Sequence, residues 1–287
     1  MATNMKTSHS RSNSVPSAPH PLISQHDEHL NRLKASEATS SSSISSKLNV
    51  LHALHELTDK ILQLPTIQQA MAQESCKTWV DELLEGSLRL LDICSTAKDV
   101  LLKSTESING LQCRRRGGEE AFKVEGGKYL SSRKNAKKTI QKAFEKFKGF
   151  KKGIVLTSSN TDNETLSMIS KFKEAETVSL VQLESLLSFM SGSGGKPKDR
   201  RWLIFSKLMQ LNRVYCVFDQ SNTNEFEEVD TALQSLFHKT CCNVSVEIFQ
   251  NHMENLELCI QGLEAGIERL ERQLIRTRVS LLNIYNH

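Results

Sequence analysis

The most restrictive feature of the chain is a run of apolar residues near its C-terminus. Leu256, Ile260, Leu263, Ile267, Leu270, Leu274, Thr277, Leu281 and Ile284 follow one another at alternating steps of four and three. A mean step of 3.5 keeps all of them on one narrow seam of an α-helix. A strand, whose side chains alternate with period two, cannot gather them on one face. The spacing predicts a single helix over 246–286, about 60 Å long at ~1.5 Å per residue. Such a seam is buried either in a bundle within the chain or in a coiled coil with a second chain. Gly266 and Gln273 flank it on one side, and Glu257, Glu264 and Arg278 on the other. These flanks form no uniform charge code for a foreign partner, which favours packing within the chain; a homo-oligomer is the alternative.

The rest of the chain carries the same period. Leu48, Leu51, Leu54, Ile61 and Leu64 form a stripe that ends at Pro65, a residue suited to the first turn of a new helix. The stretch "WVDELLEGSLRLLDICSTAKDVLL" (79–102) holds two stripes. One is Val80, Leu84, Leu88 and Leu91; the other is Leu83, Leu90, Ile93 and Ala97. Two offset stripes make a wide apolar face that touches more than one neighbour. Further helices are expected from Leu166 to Met190, across "RWLIFSKLMQLNRVYCVF" (201–218) and around Val229 to Phe237. Aromatic residues make up only 6% of the chain, so the core must be aliphatic, which suits helix packing. The expected fold is all-α: an elongated multi-helix bundle with a long, coiled-coil-like C-terminal helix. Residues 1–24, rich in Ser, Pro and His, are expected to be a disordered tail. The bundle spans 25–287, with a basic helical segment over 114–152 and a linker over 191–200.

The sequence offers little chemistry. "GSGGKP" (192–197) lacks a preceding strand, the first glycine of a phosphate loop and the Ser or Thr that would hold magnesium. His26 and His29, and His52 and His55, are spaced three apart, and His238 lies near Cys241 and Cys242. None has an acidic or thiolate partner at ligand spacing, so they are expected to be partly exposed ordinary side chains. Seven scattered cysteines without a CxxC pair suggest reduced thiols rather than a disulfide framework. No cofactor is expected, and no catalytic residues stand out. No apolar run approaches the ~18 residues of a membrane-spanning helix. A cytoplasmic protein, peripherally membrane-bound or free, is the expectation; the acid-free, Ser-rich N-terminus leaves a plastid address as the alternative.

Charge is more informative. Residues 114–152 carry a net charge of +10 and the remainder −6, within a total of +4. In this segment Ile140, Phe144, Phe147 and Phe150 share a face, and Arg133, Lys134, Lys137, Lys138 and Lys142 occupy mostly the others. A basic amphipathic helix of this kind binds an anionic membrane surface or calmodulin, unless its apolar face is bundle core and its lysines merely solvated. Nucleic acid is disfavoured, since no aromatic stacking platform accompanies the charge. In the tail, "RSNSVP" places Arg11 and Ser12 before Ser14 and Pro16 after it. That pattern resembles the phosphoserine motif bound by 14-3-3 proteins.

Taken together, "RSNSVPSAPHPLI", "QLPTIQQAM", "WVDELLEGSLRLLDICSTAKDVLL", "KYLSSRKNAKK" and "LIRTRVSLLNIYNH" resemble the plant BYPASS-type family, in matching order over nearly the whole chain. The resemblance implies a role in root and shoot development. It brings no enzymatic activity, cofactor or catalytic residue. A non-enzymatic regulatory or interaction protein is therefore the first expectation. An enzyme or binding protein controlling a small mobile signalling metabolite is the second.

Overall fold

The computed structural model describes residues 20–37, 44–114, 119–149, 163–192, 224–238 and 246–286. Within them the chain is all-helical: α1 (Pro21–Glu37), α2 (Ile44–Leu62), α3 (Pro65–Met71), a 3-10 turn (Glu74–Cys76), α4 (Lys77–Arg114), α5 (Glu119–Gly149), α6 (Asn163–Met190), α7 (Glu225–His238) and α8 (Val246–Asn286). No strand occurs among the described residues. The helix expected over 201–218, most of the 191–200 linker, and the His238, Cys241 and Cys242 side chains lie outside them.

The first helix begins inside the stretch expected to be disordered tail. Pro21 supplies a preset φ at the first helical position. His20 caps the end, its Nδ1 accepting from the backbone N–H of Leu22 at 3.2 Å. Leu22 and Ile23 then pack on the lower core, which is why the helix starts there rather than after Ser24.

α8 is the axis of the molecule, and its seam is buried within the chain. From Leu256 to Ile284 every apolar seam residue is at most 3% exposed, and Thr277 is 6% exposed. On one side α8 packs antiparallel to α4. Gln112 Nε2 donates to Glu257 at 3.1 Å, Thr105 Oγ1 to Glu264 at 3.3 Å, and Lys98 Nζ to Glu271 at 2.6 Å. Arg278 Nη1 then donates to the Leu84 carbonyl at 2.6 Å. From Glu257 to Glu271 the α8 partners advance by sevens while those on α4 fall by sevens, as a 3.5-residue repeat requires of two antiparallel helices; Arg278, one repeat on, reaches past the next α4 position to Leu84. On the other side α2 packs parallel to α8. Leu48 fills the space beside Gly266, where an added Cβ would lie 2.9 Å from the leucine Cδ1. The flanks that showed no code for a foreign partner are thus read by α4 and α2.

α6 lies alongside α4 in parallel. Arg89 Nη2 meets Glu176 at 2.6 Å, and Lys173 pairs with Glu82. The α4 stripes behave unequally. Leu83, Leu90, Ile93 and Ala97 are buried, as are Val80 and Leu84, but Leu88 is exposed and Leu91 only half-buried. The core has two parts: a large upper cluster, and a smaller lower one around Trp79, Met168, Phe172 and Ile284.

Candidate functional site

The basic segment folds as α5, and its two faces differ sharply. The inner face carries Tyr129, Arg133, Ala136, Ile140 and Ala143, all buried. Arg133 therefore belongs to the interior, not to the surface expected of it, with only 3% of its side chain exposed. Its Nε donates to Asp230 Oδ1 at 3.0 Å and Oδ2 at 3.3 Å, and its Nη1 to the Met190 carbonyl at 2.9 Å. The guanidinium stacks 4.7 Å from the centroid of the Phe226 ring. One side chain thus ties α5 to the end of α6 and to α7. Gly192, at φ 72°, closes α6 beside it; a Cβ there would sit 3.3 Å from Arg133 Nη2. Burial, and then the Asp230 charge, push the Tyr129 hydroxyl pKa well above its ordinary value.

The outer face carries Lys134, Lys138, Lys142 and Lys146 at steps of four, all exposed. None of the four has an ion pair with a described residue. Lys137 reaches back to Asp230 Oδ2 at 3.3 Å yet keeps 48% of its side chain exposed. Phe144 is half-buried and packs on the core, so it is not free to insert elsewhere. Phe147 lies in the last turn of α5, where side chains fall outside the described residues, as do Arg11, Ser12, Ser14 and Pro16. Between α4 and α5 runs a surface groove of about 610 Å³, bordered by Lys103, Val124, Lys128, Ser131 and Asn135.

A second concentration of polar groups lies inside the bundle, where no motif pointed to it. His26 and His55, expected to be partly exposed, are 1% and 5% exposed. His26 Nε2 lies 3.2 Å from Thr58 Oγ1, and His55 Nε2 lies 2.8 Å from Ser179 Oγ. Each hydroxyl already donates its one proton to a backbone carbonyl of its own helix, Thr58 to Leu54 and Ser179 to Ala175. Both imidazoles must then donate from Nε2, which assigns their tautomer. In that tautomer His55 Nε2 donates to Ser179 rather than taking its proton. Burial lowers the pKa of His26 to about 4 and that of His55 to about 3. Ser280 donates to Asp59 Oδ1 at 2.6 Å nearby. A cavity of about 40 Å³, lined in part by His55, Thr58, Glu176 and Thr277, sits among these groups. Burial raises the Glu176 pKa despite its contact with Arg89.

Among the described residues no three His, Cys, Asp or Glu side chains converge as a metal site would require. No described helix is long and apolar enough to cross a membrane. Cys76, Cys94, Cys113 and Cys259 are free thiols. A family model described as Protein BPS1 matches residues 47–284. The chain belongs to that family. The BPS1 match bears out the resemblance to plant BYPASS-type proteins. It begins in α2 and ends with the last turn of α8, so it covers the bundle around the long helix and excludes the tail and α1. No curated protein and no solved structure matches this BPS1-family chain.

Asp230 is the residue that sequence reasoning missed. Its signal was present: Arg133 shares the helical phase of Tyr129, Ala136 and Ile140, and a charge on a core face calls for a counter-charge. Asp230, flanked by Val229, Ala232 and Leu233, is the matching anomaly on α7.

Proposed function

We propose that this BPS1-family protein is a non-enzymatic interaction protein of plant root and shoot development, held on anionic membrane surfaces by the outer face of α5. The observation that carries the reading is the row Lys134, Lys138, Lys142 and Lys146. All four are exposed on a helix whose opposite face is locked into the bundle through Arg133. A rigid helix presents its charges at fixed spacing and loses little entropy on binding. Each lysine near an anionic bilayer contributes ~1 kcal/mol, screened over a Debye length of about 8 Å at physiological salt. Because Phe144 packs on the core, it is not available to insert, and the proposed binding rests on the charge of the lysines. Calmodulin would grip the apolar side of such a helix, which here is core, so the membrane is the better-supported partner. The enzyme reading has less support, because in the most promising histidine–serine contact the imidazole donates to the hydroxyl.

Flotation of the full chain with liposomes containing phosphatidylserine tests this. Binding should be absent on neutral liposomes and should disappear as salt rises. K134Q/K138Q/K142Q/K146Q should abolish it while leaving the helical circular dichroism spectrum unchanged. Flotation of that variant at the wild-type level would overturn the proposal.

A further inference from the structure

A different surface carries its own message. On α8, Ile275, Val279 and Leu282 lie outside the buried seam, 48%, 50% and 36% exposed, and Leu88 on α4 is 39% exposed. The three α8 residues are spaced by four and three, so they form a stripe of their own. It runs just outside the row Glu271–Arg278 that faces α4. Leu88 and half-buried Leu91 stand beside Leu84, whose carbonyl accepts from Arg278. The helix phases therefore place the four exposed aliphatic side chains on one patch, two helices wide. Isolated exposed leucines are ordinary; a contiguous apolar patch framed by charge is the mark of an interface.

We infer that this outer face of α4 and α8, centred on Leu88, Ile275, Val279 and Leu282, docks a second copy of this chain. The charges at its edges select that occupant. Beyond Leu88, the outer edge of α4 is acidic: Asp81, Glu85, Asp92 and Asp99 are all exposed. Beyond Val279, the outer edge of α8 carries exposed Arg272, which pairs with Glu268 at 3.0 Å within the helix, and exposed Arg276, so its net charge is positive. A patch with one acidic and one basic edge is complementary to itself. A two-fold axis lying in the interface along the helices sets α4 of one copy on α8 of the other. The aliphatic stripes then meet at the centre, and each acidic edge faces a basic one. A two-fold axis perpendicular to the helices would set acid against acid and is disfavoured. An anionic surface would match one edge and be repelled by the other. The inference does not depend on the membrane proposal, because α5 and its lysines take no part in it.

The patch is narrower than the ~800 Å² per partner of a standard interface, so association in the micromolar range is expected. Sedimentation equilibrium of the full chain, over a series reaching about 100 μM, reads it directly. The wild type should approach the dimer mass. I275E/V279E alters only exposed side chains; it should keep the wild-type melting curve and associate at least ~10-fold more weakly. E85K/D92K should weaken association as well, and adding R272E/R276E, which exchanges the two edges, should restore it. A wild type that stays monomeric throughout overturns the inference. So does association unchanged by I275E/V279E, or an edge exchange that restores nothing.

Discussion

Arg133 on α5 and Asp230 on α7 meet in the bundle interior, Nε to Oδ1 at 3.0 Å, with the guanidinium lying over Phe226. Arg133 gives Asp230 two contacts and the Met190 carbonyl a third, and Lys137 supplies a further donor from the solvent side. The pair is a latch: α7 joins α5 and the end of α6 through it. It is also a liability, because a buried carboxylate without its partner is costly.

R133A should therefore destabilise the protein by about 3 kcal/mol. That is the low end of the cost of breaking a buried pair, since Lys137 can still reach Asp230. Replacing both partners by apolar residues, R133M/D230L, removes the uncompensated charge along with the attraction. It should cost less than R133A alone. Urea denaturation followed at a helical wavelength measures both. A double variant at least as unstable as R133A alone would show that the pair stabilises beyond what desolvation takes back.

The adjacent glycines of α5 should respond in opposite directions. A Cβ on buried Gly126 would stand 2.2 Å from Cζ of Phe237, in the aromatic group that Phe237 and Phe249 form around Phe122. The ring cannot withdraw without disturbing its neighbours, so G126A should cost about 1–3 kcal/mol, as overpacking does. A Cβ on exposed Gly127 meets nothing within 4 Å. G127A should stabilise by about 0.5–1 kcal/mol, because alanine restricts the unfolded chain and suits a helix interior. Thermal melts of the two variants beside the wild type decide it. Equal shifts of the same sign would mean that the packing around Phe237 is looser than the structure shows.

The helices were legible because periodicity is local. The 3.5-residue seam of α8, the break at Pro65 and the run from Leu166 to Met190 all follow from spacing alone. What spacing cannot say is which neighbour a face meets. The seam could not distinguish a second chain from α2 and α4 of the same one. The ladder Gln112–Glu257, Thr105–Glu264 and Lys98–Glu271 appears only once two distant helices are aligned. The same gap explains Leu88, which fits a core stripe by phase yet lies where α4 runs out of partners. His26 and His55 were misread for a related reason. Their hydroxyl partners Thr58 and Ser179 sit 32 and 124 residues away, beyond the reach of any motif. The α5 face was half legible: its lysines are outward as the pattern suggested, but Arg133 needed Asp230 to be seen as core.

The buried histidines should make stability fall as pH drops below neutral. In the folded chain their pKa values are about 4 for His26 and about 3 for His55, against 6.5 for an unburied imidazole. Between those limits the unfolded chain binds protons that the folded chain refuses, so unfolding is favoured as pH falls. The stabilisation is whole above pH 6.5. It declines by up to about 1.4 kcal/mol per pH unit for each histidine, until the folded-state values are reached. Glu176 acts in the opposite sense, because a carboxyl whose pKa is raised in the folded state stabilises it as pH falls. The comparison that isolates the imidazoles is therefore between variants rather than against a fixed slope. H55Q keeps an amide N–H for Ser179 and removes the titration. Its free energy of unfolding, from urea melts at several pH values between 6.5 and about 4, should fall less steeply than that of the wild type. H26Q should show the same sign with a smaller change, since its pKa is less depressed. Parallel curves for wild type and H55Q would mean that His55 is solvated in solution and that the polar core opens to water.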